Sequence, residues 1–301
     1  MAEKKYAHYV KKLKFRERGS GNYRQVTSVN GKEFGIDFNI EWGAYWAAGR
    51  MGTGKLQAHK HDYNQILFFF GADPDDMGEL NAEIELCMGA ESEKNRIVNS
   101  SAMAIPAGLP HFPATIINMN KRFLYMEVSC SNKMKETVVP IDKNAFNTSL
   151  PPIRCKHYNH MTMAAFVRKS TLYGPINKDD HGGSLAFIKP NDPSIFEYLI
   201  MIENIKKAPY RFGWHPDRPH VHTRPEILNF IGTDLNDLNN LGGVAEICLG
   251  KEMERYVIDS PTSVVIPAKL AHNPLIITRV DRPFLLIDVR PFGLDMDQGK
   301  L

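Results

Sequence analysis

Cysteine is scarce in this chain: four in 301 residues, Cys87, Cys130, Cys155 and Cys248, with no CxxC spacing among them. A disulfide framework and a CxxC redox or zinc motif are both excluded by that pattern. Cys87 and Cys248 sit in apolar strand-like runs, as buried free thiols do. Charge of one sign is missing too. Thirty-seven basic against 34 acidic residues leave only +3, so the Lys-rich opening over 4–14 reads as a solvated face and not as a nucleic-acid footprint. No apolar run resembles a signal peptide or reaches membrane-spanning length. The expectation is a protein of the reducing cytoplasm that binds neither nucleic acid nor membrane. Helical periodicity is sparse as well, and only 193–206 and 6–15 space apolar residues as a helix does.

What the chain does contain is a repeat. His59-Lys60-His61 returns as His220-Val221-His222, an offset of 220 − 59 = 161, and residues 59–128 align with 220–289 without a gap. Twenty-five of those 70 positions are identical, far above chance, so two homologous units are expected, 1–150 and 151–301. The Pro pair at Pro151 and Pro152 suits a linker between them. Within the second unit, short apolar runs at 226–231, 244–249, 255–258, 263–266, 275–278 and 284–289 are separated by Gly, Asn, Asp and Pro. Such evenly spaced short strands predict a closed β-barrel or jelly roll. The fold class is therefore all-β, two fused barrels with a few short helices.

The chemistry lies in histidines. On a strand His220 and His222 face the same way. Glu226 follows four residues on, and His272 arrives fifty residues later if the barrel closes. Three imidazoles and a carboxylate suit one divalent transition metal ion, Mn, Fe, Co, Ni or Zn, and leave up to two positions open on an octahedral ion. In the first unit His59, His61 and His111 persist but Gln65 replaces the carboxylate. A neutral amide lacks the charge attraction of a carboxylate, so a second metal there is expected to be weaker.

These residues resemble the cupin superfamily, specifically a bicupin. The first cupin motif, G…HxH(x)3–4E…G, is matched by His220, His222, Glu226 and Gly232. The second, PxGxxH, is matched by Pro106, Gly108 and His111, whereas Lys269 replaces the glycine between Pro267 and His272. The asparagine expected later in the motif is absent from both units. The resemblance implies a jelly-roll barrel with metal inside and does not select one reaction, because cupins include dioxygenases, decarboxylases, isomerases, lyases, hydrolases and storage proteins.

Features shared by both units, such as Glu85 and Glu246 or Glu127 and Asp288, read as architecture. Features of the second unit alone read as function: His215 as a proton carrier, Trp214 as an aromatic wall and Arg218 as an anion clamp. His157 and His160, without a carboxylate nearby in sequence, read as unrelated to the metal. Three functions follow. The first is an enzyme acting on a small carboxylate, enol or cyclic diketone by Lewis-acid hydrolysis, decarboxylation or isomerisation. The second is an Fe- or Mn-dependent dioxygenase, and the third a non-catalytic binding or storage cupin. A homodimer fits the family's habit of pairing barrels.

Overall fold

The computed structural model describes residues 4–18, 21–52, 57–140, 156–168, 180–213 and 217–293. The strand Gln65–Gly71 shows how the fold is built, because all seven of its residues are buried. Alternate side chains on a strand point to opposite faces. Ile66, Phe68 and Phe70 enter one core, while Leu67 and Phe69 enter another. The equivalent strand Glu226–Gly232 is also buried throughout. Ile227 and Ile231 join the first of those cores, and Leu228 and Phe230 join a third. There are thus two barrel interiors and one shared core between the barrels, to which Trp42 and Phe68 from one repeat and Ile200 and Ile287 from the other contribute.

Among the described residues every strand pair is antiparallel. The first barrel joins a six-stranded sheet (Tyr23–Asn30, Asn39–Tyr45, Phe123–Ser129, Gln65–Gly71, Ser101–Ile105, Met161–Met163) to a second sheet carrying Ala58–Lys60, His111–Met119, Glu79–Met88 and Glu93–Asn99. The second barrel repeats this plan. Thr262–Ile266, Glu226–Gly232, Phe284–Arg290, Leu199–Ile205 and Ser184–Ile188 face a sheet of Tyr210–Arg211, His272–Val280, Gly243–Leu249 and Glu254–Ile258. All six strands anticipated in the second unit are present, within a few residues of their expected ends.

The two sheets nearest the shared core each borrow an edge strand. Val10–Lys12 pairs with Thr262–Val264, and Met161–Met163 pairs with Ser101–Met103. Each covers an edge that would otherwise expose unpaired backbone groups.

Both expected helices are corrected. Residues 199–205 form a fully buried strand, hydrogen-bonded to strands on both sides. Ile200 and Ile202 face the shared core while Met201 and Ile205 face the barrel interior. Burial on both faces fills the apolar positions so densely that they also satisfy helical spacing, and β-branched isoleucine decides for the strand. Over 6–15 the chain makes one 3-10 turn, Ala7–Tyr9, and then the edge strand. Among the described residues no helix is long and apolar enough to cross a membrane.

Candidate metal centre

Inside the second barrel, backbone pairing brings the distant histidine to the HxH pair. His220 and His272 exchange two hydrogen bonds, each backbone N–H donating to the other's carbonyl at 3.1 Å. Their rings lie 4.2 Å apart, and His222 stands 4.8 Å from His220 and 5.1 Å from His272. One ring nitrogen from each lies within 4.8 Å of the others. Glu226, the first residue of its strand, places Oε2 2.9 Å from His272 Nε2 and 3.5 Å from His222 Nε2. The four residues expected to form the centre are brought together.

The first barrel repeats the geometry. His59 pairs with His111 across antiparallel strands, with ring separations of 4.4 Å between them and 5.0 and 5.2 Å to His61. His111 Nδ1 lies 3.1 Å from the Leu109 carbonyl, and His272 Nδ1 lies 3.1 Å from the equivalent Leu270 carbonyl. A carbonyl only accepts, so Nδ1 carries the proton and Nε2 is left with its lone pair directed inward. His61 is fixed in the same way by the Lys135 carbonyl at 3.0 Å. Tyr63 stacks on His61 and Phe112 on His59.

Burial favours the neutral imidazole at His59, His111 and His220, which is the form a metal binds. His111 lies well below its usual range through burial, His59 is lowered by burial and by His61, and His220 is lowered to about 4 by burial and by His272. A cation fits this donor set. The Nε2 atoms of His61 and His111 and the Oε1 of Gln65 are buried with no hydrogen-bond partner among the described residues. Buried polar atoms normally have partners, and lone pairs converging without a donor are what a metal ion would satisfy.

These shifts have a consequence for metal-free protein. Folded values below the unfolded 6.5 mean that the unfolded chain binds more protons between about pH 6.5 and 4. Stability from this source is complete above about pH 6.5 and is lost as the pH falls toward 4. Chelated protein is expected to melt progressively lower from about pH 7 to about pH 4.5, with a shallower slope in His111→Gln. A melting temperature that held constant or rose on acidification would contradict this.

Behind the ligands the two barrels differ. Glu226 Oε1 lies 2.5 Å from Arg290 Nη2, and the same guanidinium lies 2.9 Å from Asp288. Burial raises the Glu226 carboxyl, but Arg290 and His272 outweigh it and hold the group well below the carboxylate range. Asp288 goes the other way, pushed well up by burial and by Glu226 despite Arg290. In the first barrel Gln65 Nε2 donates to Glu127 Oε1 at 2.9 Å and to Ser129 Oγ at 3.4 Å. Tyr125 also donates to Glu127, which burial pushes up to about 7.

Arg290 was missed by sequence reasoning. Its signal was the pairing of Ser129 with Arg290 at the 161-residue offset, a change that accompanies Gln65 for Glu226.

The other expectations fall as follows. Arg218 is exposed, and its carbonyl lies 3.5 Å from His220 Nδ1. Trp214 and His215 lie outside the described residues, as does the Pro pair of the linker. Glu85 and Glu246 make partly exposed cross-strand ion pairs with Lys94 and Arg255. Tyr256 packs inward and its hydroxyl accepts from the Tyr6 N–H at 2.9 Å, while Arg279 pairs with Asp281 outside. His157 does meet a carboxylate: Glu91 lies 3.3 Å away, and Glu93 accepts the His157 and Lys156 backbone N–H groups.

Two fused antiparallel barrels, each with a histidine triad at the same register, define the class: this is a bicupin fold, mostly β and of jelly-roll type. Among solved structures the chain is similar to a mutant of Bacillus subtilis oxalate decarboxylase, at 8% identity and a TM-score of 0.59 over 95% of this chain and 79% of that one. It is also similar to the formate complex of Lactobacillus farciminis oxalate decarboxylase, at 12% identity and a TM-score of 0.55 over 93% and 85%. No protein-family model matches the chain, and no curated protein does. At such identities the likeness establishes the fold.

Proposed function

We propose that this bicupin is a metal-dependent enzyme acting on a small carboxylate by Lewis-acid chemistry, with its working centre in the second unit, 151–301. His220, His222, Glu226 and His272 would hold one divalent transition metal ion. The observation that carries this reading is the convergence of three imidazole nitrogens within 4.8 Å of one another, with the Glu226 carboxylate 2.9 Å from one of them. When bound, the ion would stabilise negative charge developing on a substrate oxygen.

The chain's own residues supply the rest. The Leu270 carbonyl orients His272, and Arg290 fixes the Glu226 carboxylate so that one oxygen faces the imidazoles. Arg218, exposed and two residues before His220, would draw in an anionic substrate. His215 remains the proposed proton carrier and Trp214 the proposed wall. Support for a carboxylate substrate comes from the structural neighbours, which are oxalate decarboxylases, one of them solved with formate. Decarboxylation is thus preferred within the Lewis-acid group over hydrolysis and isomerisation.

The test is elemental analysis of purified protein followed by paired aerobic and anaerobic assays against small mono- and dicarboxylates and cyclic diketones. At least one transition metal ion per chain and turnover of a carboxylate without stoichiometric oxygen consumption are expected. Oxygen consumed one for one with substrate would make the protein a dioxygenase. Protein free of metal and unable to bind any would end the reading.

A further inference from the structure

The amide at position 65 suggests an impaired first site, yet the residues around it restore what the substitution removes. In the second barrel Glu226, Asp288 and Arg290 form one cluster. At the 161-residue offset their counterparts are Gln65, Glu127 and Ser129, which also form one cluster. All three positions change together. The acid at the ligand position of the second barrel, Glu226, is held ionised by Arg290 and His272, whereas in the first barrel that position is an amide and the acid, Glu127, stands behind it. The negative charge has moved one hydrogen bond outward, from the ligand position to the residue behind it.

Polarity follows the same logic. Glu127 Oε1 accepts from the Gln65 amide nitrogen at 2.9 Å and Ser129 Oγ lies 3.4 Å from it. These contacts settle which end of the amide is which. The nitrogen faces the carboxylate, and Oε1 is left buried without a partner among the described residues, as are the Nε2 atoms of His61 and His111. An amide whose N–H donates to a carboxylate is polarised toward its oxygen, which improves that oxygen as a ligand. An arginine at position 129 would have taken the carboxylate for itself. Serine leaves Glu127 Oε1 to Gln65, with Tyr125 donating to Oε2.

We propose that the first barrel is a competent divalent-metal site, with His59, His61, His111 and the Gln65 carbonyl oxygen as ligands and Glu127 as the counter-charge acting through Gln65. This rests on the metal-dependent reading above and extends it: Glu127 is a positioning residue that touches no metal. The sequence-based expectation of a weak first site considered the ligand alone, whereas a divalent ion responds to the charge of the whole buried cluster.

The experiment isolates the first site in the full-length chain by His272→Ala and titrates it with cobalt(II), following the visible absorption of the bound ion. His272→Ala is expected to bind one cobalt per chain. Adding Glu127→Gln keeps the shape and a hydrogen-bond acceptor for Gln65 but removes the charge, and is expected to weaken cobalt binding on the order of 10- to 100-fold. Exchanging the two residues, Gln65→Glu with Glu127→Gln, returns the charge to the ligand position and is expected to restore affinity. A merely structural Glu127 would not be rescued by that exchange. No cobalt bound by His272→Ala, unchanged affinity in Glu127→Gln, or failure of the exchange to rescue would each overturn the proposal. Wild-type protein unable to bind any cobalt would instead overturn the metal-dependent reading on which it rests.

Discussion

Glu226→Gln is expected to strip the second barrel of its metal, weakening affinity by at least about 100-fold and abolishing metal-dependent turnover in proportion. The loss should exceed what removing one charge would give, because the new amide meets Arg290. The guanidinium only donates, so it captures the amide oxygen and turns the amide nitrogen toward His272 and His222, where a second set of donors repels a cation. The double variant Glu226→Gln with Arg290→Ser is therefore expected to recover part of the affinity. It frees Asp288 to accept from the amide and reproduces the Gln65, Glu127 and Ser129 arrangement of the first barrel. Isothermal titration of both variants with cobalt(II), alongside turnover assays, reads the difference. Undiminished metal-dependent activity in Glu226→Gln would remove this residue from the centre altogether.

Metal removal is expected to lower stability by a comparable margin. The first site gathers buried acceptors with no partner among the described residues and the second gathers three imidazoles beside a carboxylate, so the folded chain is expected to bind the ion far better than the unfolded one. At an ion concentration about 1,000 times the dissociation constant, one site contributes about 4 kcal/mol. With about 2–4 °C of melting temperature per kcal/mol in domains of this size, chelation is expected to lower the transition by roughly 8–16 °C per occupied site. The shared core binds the two barrels along one face each, so the loss should appear as a shift of one calorimetric transition. A melting temperature indifferent to chelator and to added cobalt would show that the histidines hold no ion.

Much of this was readable without coordinates. The 161-residue repeat exposed the duplication, and period-2 spacing put His220 and His222 on one face. The paired residues His59–His111 and His220–His272 then fell where barrel closure required. Strand positions in the second unit were also legible, since turn-forming residues mark their ends. The two helices misread at 6–15 and 193–206 failed for physical reasons. Over 199–205 a strand buried on both faces presents no polar side, and its unbroken apolar positions satisfy several periodicities at once. By contrast, 6–15 is a 3-10 turn and an edge strand set by pairing with the distant Thr262–Val264.

What stayed hidden is the set of partners that meet only through space. Arg290 looked like any strand-end arginine until folding set it 2.5 Å from Glu226, and Glu127 like a shared scaffold acid until Gln65 donated to it. His157 found Glu91 across 66 residues. Periodicity and local chemistry, carried by neighbours along the chain, determined the duplicated β architecture and named the ligand candidates. Only the tertiary structure decided which buried charge stands behind each ligand, because electrostatic interactions in a low-dielectric interior depend on separations in space that chain order does not encode.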